Sequence, residues 1–286
     1  MNNLFNICFT LFQREIPIYG FLIMIGGIFA IGTALILIKK VNLEFFDFMC
    51  CVAFVIIGAF VGAKLLSIIT SFRTIVEFFV IVQPPIIEGI AIVLQSGFVF
   101  YGGLIGGLIA LVLYCVVCKV NLRPYISVAA TVVPLGHAFG RVGCFFAGCC
   151  YGIPYDGWLS HTYTHADNPT EGLLGVPRFP VQLLEACCLL ILFAVLLYVF
   201  LKKPNSFAST VAYIIGYSIL RFCLEFLRGD KERGGFLGVS TSQWISILLV
   251  IGLIIAVIIY HKKYKQVINN TETSQINDLG ETKNEQ

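Results

Sequence analysis

The chain has 286 residues, 58% hydrophobic and only 12% charged, with a formal net charge of +3. A soluble domain carries about twice that charged fraction, so the composition and the mean hydropathy of +0.90 exclude a soluble enzyme and describe a polytopic membrane protein. No nucleic-acid partner is expected; a net charge this small says little by itself, and the positions of the basic residues say more than their sum.

Apolar runs long enough to span, about 20 residues each, fall at 18–38, 46–70, 97–118, 124–142, 181–201, 207–227 and 239–260. They predict an all-α membrane protein of about seven transmembrane helices. Pro134 and the glycines after it are expected to shorten and bend the fourth. Segment 71–96, with Pro84-Pro85, is expected to rest in the interface. Residues 143–180 are expected to form a small external head between helices 4 and 5, and His161 and His165 read there as loop histidines. Residues 1–268 form the integral membrane domain of this reading. The stretch 269–286, rich in Asn, Thr, Glu and Gln, reads as a disordered cytoplasmic tail. The N-terminus has no basic start before the first span, so no cleavable signal peptide is expected.

Orientation follows the short loops. Lys39-Lys40, Lys119 with Arg123, Lys202-Lys203 and Lys262-Lys263 with Lys265 alternate with the other loops, which predicts N-out and C-in. Arg14, Arg228, Lys231 and Arg233 run against this pattern.

Of eleven cysteines, Cys8, Cys50, Cys51, Cys115, Cys118, Cys187, Cys188 and Cys223 lie in apolar surroundings and read as small hydrophobes. Cys115-x-x-Cys118 lacks a second ligand pair. No metal and no cofactor are expected. Cys144, Cys149 and Cys150 differ, because they fall at a membrane edge. A Cys144–Cys149 disulfide is open to them, while adjacent Cys149 and Cys150 pair only with strain.

Three constellations carry chemistry. The run from Gly136 to Gly152 sets His137, Arg141 and the three edge cysteines among five glycines. An arginine at the end of a span needs an anionic partner, and glycine lets backbone N–H groups approach one. A lipid phosphate is the commonest anion there. In the third span, Gly102/Gly106 and Gly103/Gly107 are small-xxx-small pairs suited to close helix contact. Tyr101 before them is read first as an interfacial anchor and second as a hydroxyl facing a cavity. In the sixth span, Tyr217, Arg221, Glu225 and Arg228 are spaced four, four and three apart and share one helical stripe. Arg221 and Glu225 can neutralise each other, but two arginines against one carboxylate leave a positive excess.

Taken in order, these residues resemble the prolipoprotein diacylglyceryl transferase family over most of the chain. The resemblance rests on Ile18-Tyr19-Gly20, Asp47, Gly62-Ala63-Lys64-Leu65, Gly102-Gly103-Leu104 and Gly140-Arg141-x-Gly143. It continues through Pro180-x-Gln182 with Glu185, Arg221-x3-Glu225-Phe226-x-Arg228 and Gln243. It implies a multi-pass enzyme of the bacterial cell membrane. Such an enzyme moves the diacylglyceryl group of phosphatidylglycerol onto the lipobox cysteine in a preprolipoprotein signal peptide, releasing glycerol-1-phosphate. By resemblance, Arg141 and Arg221 hold the phospholipid, Glu225 orients Arg221, and Tyr19 lines the same cavity. Gly102, Gly103, Gly143, Cys144, Cys149 and Arg228 complete the candidate substrate-binding set.

The chain departs from the family pattern at several places. Tyr101 stands where the family has histidine before Gly-Gly-Leu, and Lys64 replaces an arginine. Cys144, Ala147 and Cys149 replace the asparagines and glutamate of the signature. His137 is therefore the first candidate for the base that activates the acceptor thiol, with Tyr101 second. Together with Arg141 and Arg221 they form the expected catalytic set. The rival readings are a diverged paralogue using the same lipid pocket with another acceptor, and a non-catalytic lipid-binding membrane protein.

Overall fold

The computed structural model describes residues 9–11, 14–16, 18–82, 99–164, 173–229, 235–236 and 238–259, with Pro85, Gly89, Val93 and Gly97 besides. The expected interfacial stretch beyond 82, His165 and the tail 269–286 lie largely or wholly outside them, as does Cys8. A short antiparallel ribbon, β1 (Phe9–Leu11) with β2 (Arg14–Ile16), precedes the helices. These are α1 (Ile18–Leu37), α2 (Phe45–Thr70), α3 (Phe72–Val82), α4 (Phe100–Val117), α5 (Leu122–Phe146), α6 (Val181–Lys202), α7 (Ala208–Leu224) and α8 (Thr241–Ile259). The strand pairs β3 (His161–Thr162) with β4 (Pro177–Arg178) and β5 (Gly235–Phe236) with β6 (Val239–Ser240) are also antiparallel.

Six helices among the described residues are long and apolar enough to cross a membrane: those beginning at Ile18, Phe45, Leu122, Val181, Ala208 and Thr241. The expected third span is the 18-residue α4, about 27 Å long and slightly short of the ~30 Å hydrocarbon core. The mostly helical, multi-pass character read from the sequence is therefore observed. Ile28, Phe46, Ile109 and Val116 expose apolar side chains that water would penalise and lipid would not.

The predicted shortening of the fourth span is corrected. α5 runs unbroken for 25 residues with Pro134 inside it. Proline removes one helical donor, but in a membrane any alternative backbone path leaves more polar groups unsatisfied. The helix consequently carries His137 and Arg141 through to Phe146.

Backbone contacts divide the chain into two compact units. The first comprises Met1–Gly27, Pro134–Val195 and Val211–Gln286, and the second Ile28–Val133 and Leu196–Thr210. In the second unit, α2 and α4 meet through glycine. A Cβ on Gly106 would strike the Gly58 carbonyl oxygen, and one on Gly102 would strike that of Gly62. These contacts are backbone against backbone, which only glycine permits. Around them Leu37, Phe48, Leu111, Val128 and Phe200 form the apolar core. Buried Ser127 and Ser209 hydrogen-bond across α5 and α7 at 2.8 Å.

Candidate functional site

The first unit gathers the charged side chains. Along α5, His137, Arg141 and Cys144 follow at spacings of four and three, so an unbroken helix puts them on one face. Arg141 Nε donates to His137 Nε2 at 3.2 Å and lies 3.0 Å from Glu185 Oε1 on α6. The two charged side chains are 13% and 2% exposed. On α7, Arg221 Nη1 pairs with Glu225 Oε2 at 2.6 Å, and Arg221 Nη2 donates to Ser242 Oγ at 2.7 Å. Tyr217 stands within electrostatic reach of Arg141, Arg221 and Glu185, and its ring lies 5.5 Å from that of His137. Two arginines and two carboxylates thus form one cluster at the level of the spans.

Arg141, outside the stripe of Tyr217 to Arg228, has a carboxylate of its own. Glu185, 44 residues from Arg141 in sequence, balances it. The α-helix also ends at Leu224, and Glu225–Leu227 is a 3-10 turn. Arg228 follows in extended conformation, φ −84° and ψ 139°, so it leaves the stripe that its spacing suggested. The backbone explains why. Ile153 donates to the Leu227 carbonyl at 3.0 Å and Gly229 to that of Tyr151 at 3.0 Å, a β-like pairing that captures Arg228 opposite Gly152.

Tyr19 rests on Gly143, where an added Cβ would come within 3.0 Å of Tyr19 Cδ2. A side chain here would press the aromatic ring to give way by a few tenths of an ångström. Of the expected site residues, the first unit therefore holds Tyr19, His137, Arg141, Gly143, Cys144, Cys149, Arg221, Glu225 and Arg228. Tyr101, Gly102 and Gly103 belong to the second unit, where Gly102 is occupied by helix packing.

The end of α5 is a Schellman turn. Cys149 N donates to the Cys144 carbonyl at 3.1 Å, Gly148 N to that of Phe145 at 3.3 Å, and Gly148 has φ +68°. This turn brings the side chain after its glycine back onto the last helical turn, so Cys149 returns to Cys144. Cys150 follows at φ +59°. Hydrogen bonding with Cys144, then with Cys150, raises the Cys149 thiol well above its ordinary range. Gln182 holds the loop: its Nε2 donates to the Cys149 carbonyl at 2.7 Å and to the Tyr163 hydroxyl at 3.1 Å. Burial pushes the Tyr163 phenol up to about 12.

Glu185, Gln182, Ser242 and Tyr217 are the residues whose roles the motif reading did not assign. A glutamate inside an otherwise apolar run was the available signal for Glu185, since such a carboxylate needs a cation.

With this geometry in view, the family described as prolipoprotein diacylglyceryl transferase matches residues 6–260. A phosphatidylglycerol–prolipoprotein diacylglyceryl transferase of Clostridium tetani is 33% identical over 251 residues, 86% of this chain and 93% of its own length. One from Clostridium perfringens is 32% identical, covering 85% and 90%, and one from Campylobacter curvus is 29% identical, covering 92% and 98%.

Proposed function

The chain belongs to the prolipoprotein diacylglyceryl transferase family, and from that premise we propose that it transfers the diacylglyceryl group of phosphatidylglycerol to the lipobox cysteine of preprolipoproteins. Glycerol-1-phosphate leaves, and the product is a thioether-linked lipoprotein. The observation that carries this reading is the buried cluster Arg141–Glu185 with Arg221–Glu225. Its carboxylates neutralise the arginines and fix the direction of their forks. A guanidinium has five N–H donors, so each arginine retains donors for phosphate oxygens beyond those its carboxylate takes. The phosphate gains charge as the glyceryl carbon–oxygen bond breaks, and pre-aimed donors stabilise that change most.

His137 is the base we assign to the acceptor thiol, with Tyr101 as the second candidate. Its Nε2 lone pair accepts from Arg141. Proton uptake at Nε2 requires Arg141 to turn away, and a bound phosphate provides the reason for it to turn. Lipid binding thereby readies the base. Tyr19 and Gly143 line the lipid, and Cys144 and Cys149 shape its edge.

Complementation of a strain depleted of its own transferase tests the activity. Growth restored by this chain supports it, and failure despite membrane insertion rejects it. Arg141→Lys and Arg221→Lys should each lower turnover roughly tenfold to over a hundredfold. A point charge cannot reproduce forked contacts, and a lost charge-assisted hydrogen bond is worth about 1.5–3 kcal/mol. Near-normal rates in both variants would remove the phosphate assignment.

We further propose seven spans, with α4 as the seventh, in the N-out, C-in sense of a bacterial cell membrane and with residues 143–180 as an external head. A cysteine introduced at Asn269 should resist impermeant thiol reagents in intact cells. Labelling from outside would reverse the orientation.

A further inference from the structure

We propose that Cys144, Cys149 and Cys150 form a binding site for a soft, thiophilic metal ion, Zn2+ or Cu+, at the end of α5. The Sγ atoms of the three residues all lie within 4.8 Å of one another. Thiolates around zinc sit ~2.3 Å from the ion, which sets their mutual separation near ~3.8 Å in a tetrahedral site. Small side-chain rotations close the difference.

Two features of the backbone support a built site. The Schellman turn at Gly148 folds Cys149 onto Cys144, so the first pair of sulfurs is set by a helix ending and does not depend on loop placement. The third sulfur comes from Cys150, which holds the left-handed region at φ +59°. A residue with a Cβ is disfavoured there by about 1–2 kcal/mol, and glycine would serve the turn alone at lower cost. Backbone in such a region is enriched at binding and active sites, although Asn42 and Lys119 hold it too. At Cys150 the use consistent with the geometry is to close a triangle of sulfurs.

The surroundings fit an ion. Exposure rises from half-buried Cys144 to exposed Cys149, which leaves a path from solvent. Gln182, 1% exposed, anchors the Cys149 carbonyl through its Nε2, while its Oε1 is buried without a hydrogen-bond partner among the described residues. A three-thiolate zinc site keeps a fourth position for water, and that amide oxygen is an acceptor beside the loop for such a water. Three sulfurs select zinc or copper(I) over magnesium or calcium, which prefer oxygen. Binding releases the thiol protons, with no electron transferred and no carbon–sulfur bond made.

The test uses the full-length protein purified in detergent, reduced, and freed of metal by chelation. Zn2+ titrated against a chromophoric chelator should show one tight site per chain, with Mg2+ failing to compete. Co2+ should give the intense sulfur-to-metal charge-transfer band of a thiolate site, a readout of the unaltered protein that needs no variant to fold. Cys144→Ser, Cys149→Ser and Cys150→Ser should each weaken Zn2+ roughly a hundredfold or more, beyond the ~10–100-fold typical of losing an outer-shell partner. Cys50→Ser should leave it unchanged. Cu+ displacing Zn2+ with the same cysteine dependence identifies copper as the occupant of the same site. Absence of a charge-transfer band with free thiols verified by titration, uptake indifferent to all three serine variants, a Cys144–Cys149 disulfide in the protein as isolated, or a lipid adduct on one of these sulfurs would each overturn the proposal.

Discussion

Glu185→Ala should lower the stability of the protein by about 3–5 kcal/mol, because it leaves the Arg141 guanidinium buried beside no carboxylate. Glu185 is 1% exposed, so water cannot replace it. The measurement is the thermal midpoint of the purified protein in detergent, read alongside transfer activity. Glu185→Gln should fall between, since an amide keeps a polar neighbour beside Arg141 but carries no charge. The double variant Arg141→Leu with Glu185→Leu separates stability from function. Exchanging both members of a buried pair for apolar residues is often neutral or stabilising, so the midpoint should recover while activity stays lost. An alanine variant as stable as the parent would show that the pair does not hold α5 to α6. A double variant that transfers lipid normally would remove Arg141 from the reaction.

Gly102→Ala should disrupt the pairing of α2 and α4, whereas Gly103→Ala should be tolerated. The two residues are neighbours in one motif, and alanine adds only a Cβ to each. At Gly102 that carbon meets the Gly62 carbonyl oxygen, Leu66 Cβ at 2.6 Å and Ala63 Cα at 3.0 Å. Backbone cannot rotate aside as a side chain can, so the helices must separate, at a cost of about 1–3 kcal/mol or more. At Gly103 the nearest atoms are the Ala59 carbonyl oxygen at 3.4 Å and Ala63 Cβ at 3.5 Å, an ordinary contact. Alanine is also the better helix former by about 1 kcal/mol, so the second variant should be neutral or slightly stabilising. Thermal midpoints in detergent decide between the two. If Gly103→Ala instead abolishes activity with stability intact, the glycines act as lipid-contacting positions and the packing explanation fails.

Much of this protein was decided by its sequence. The apolar runs were legible because a helix must satisfy its own backbone across hydrocarbon, which leaves about 20 apolar residues in a row as a local signature. Spacing along one helix was legible for the same reason: His137 with Arg141, and Arg221 with Glu225, are four apart and meet as that period requires. The small-residue pairs of α4 announced close packing, although the partner glycines Gly58 and Gly62 had to be found in α2. Only the tertiary structure decided the rest, because the remaining contacts join distant residues. Glu185 neutralises Arg141 across 44 positions, and no periodicity connects them. Arg228 matched its stripe in spacing but not in space, because a backbone pairing with the Gly152 segment ended the helix first. Pro134 and the glycines after it were expected to shorten the fourth span and did not, since the unbroken helix leaves fewer polar groups unsatisfied in lipid. The three cysteines stood visibly together in the chain, but their convergence needed a left-handed turn at Gly148 and another at Cys150. A sequence carries local period and hydropathy on its face, whereas charge balance, chain direction after a helix end, and the meeting of distant side chains belong to the fold.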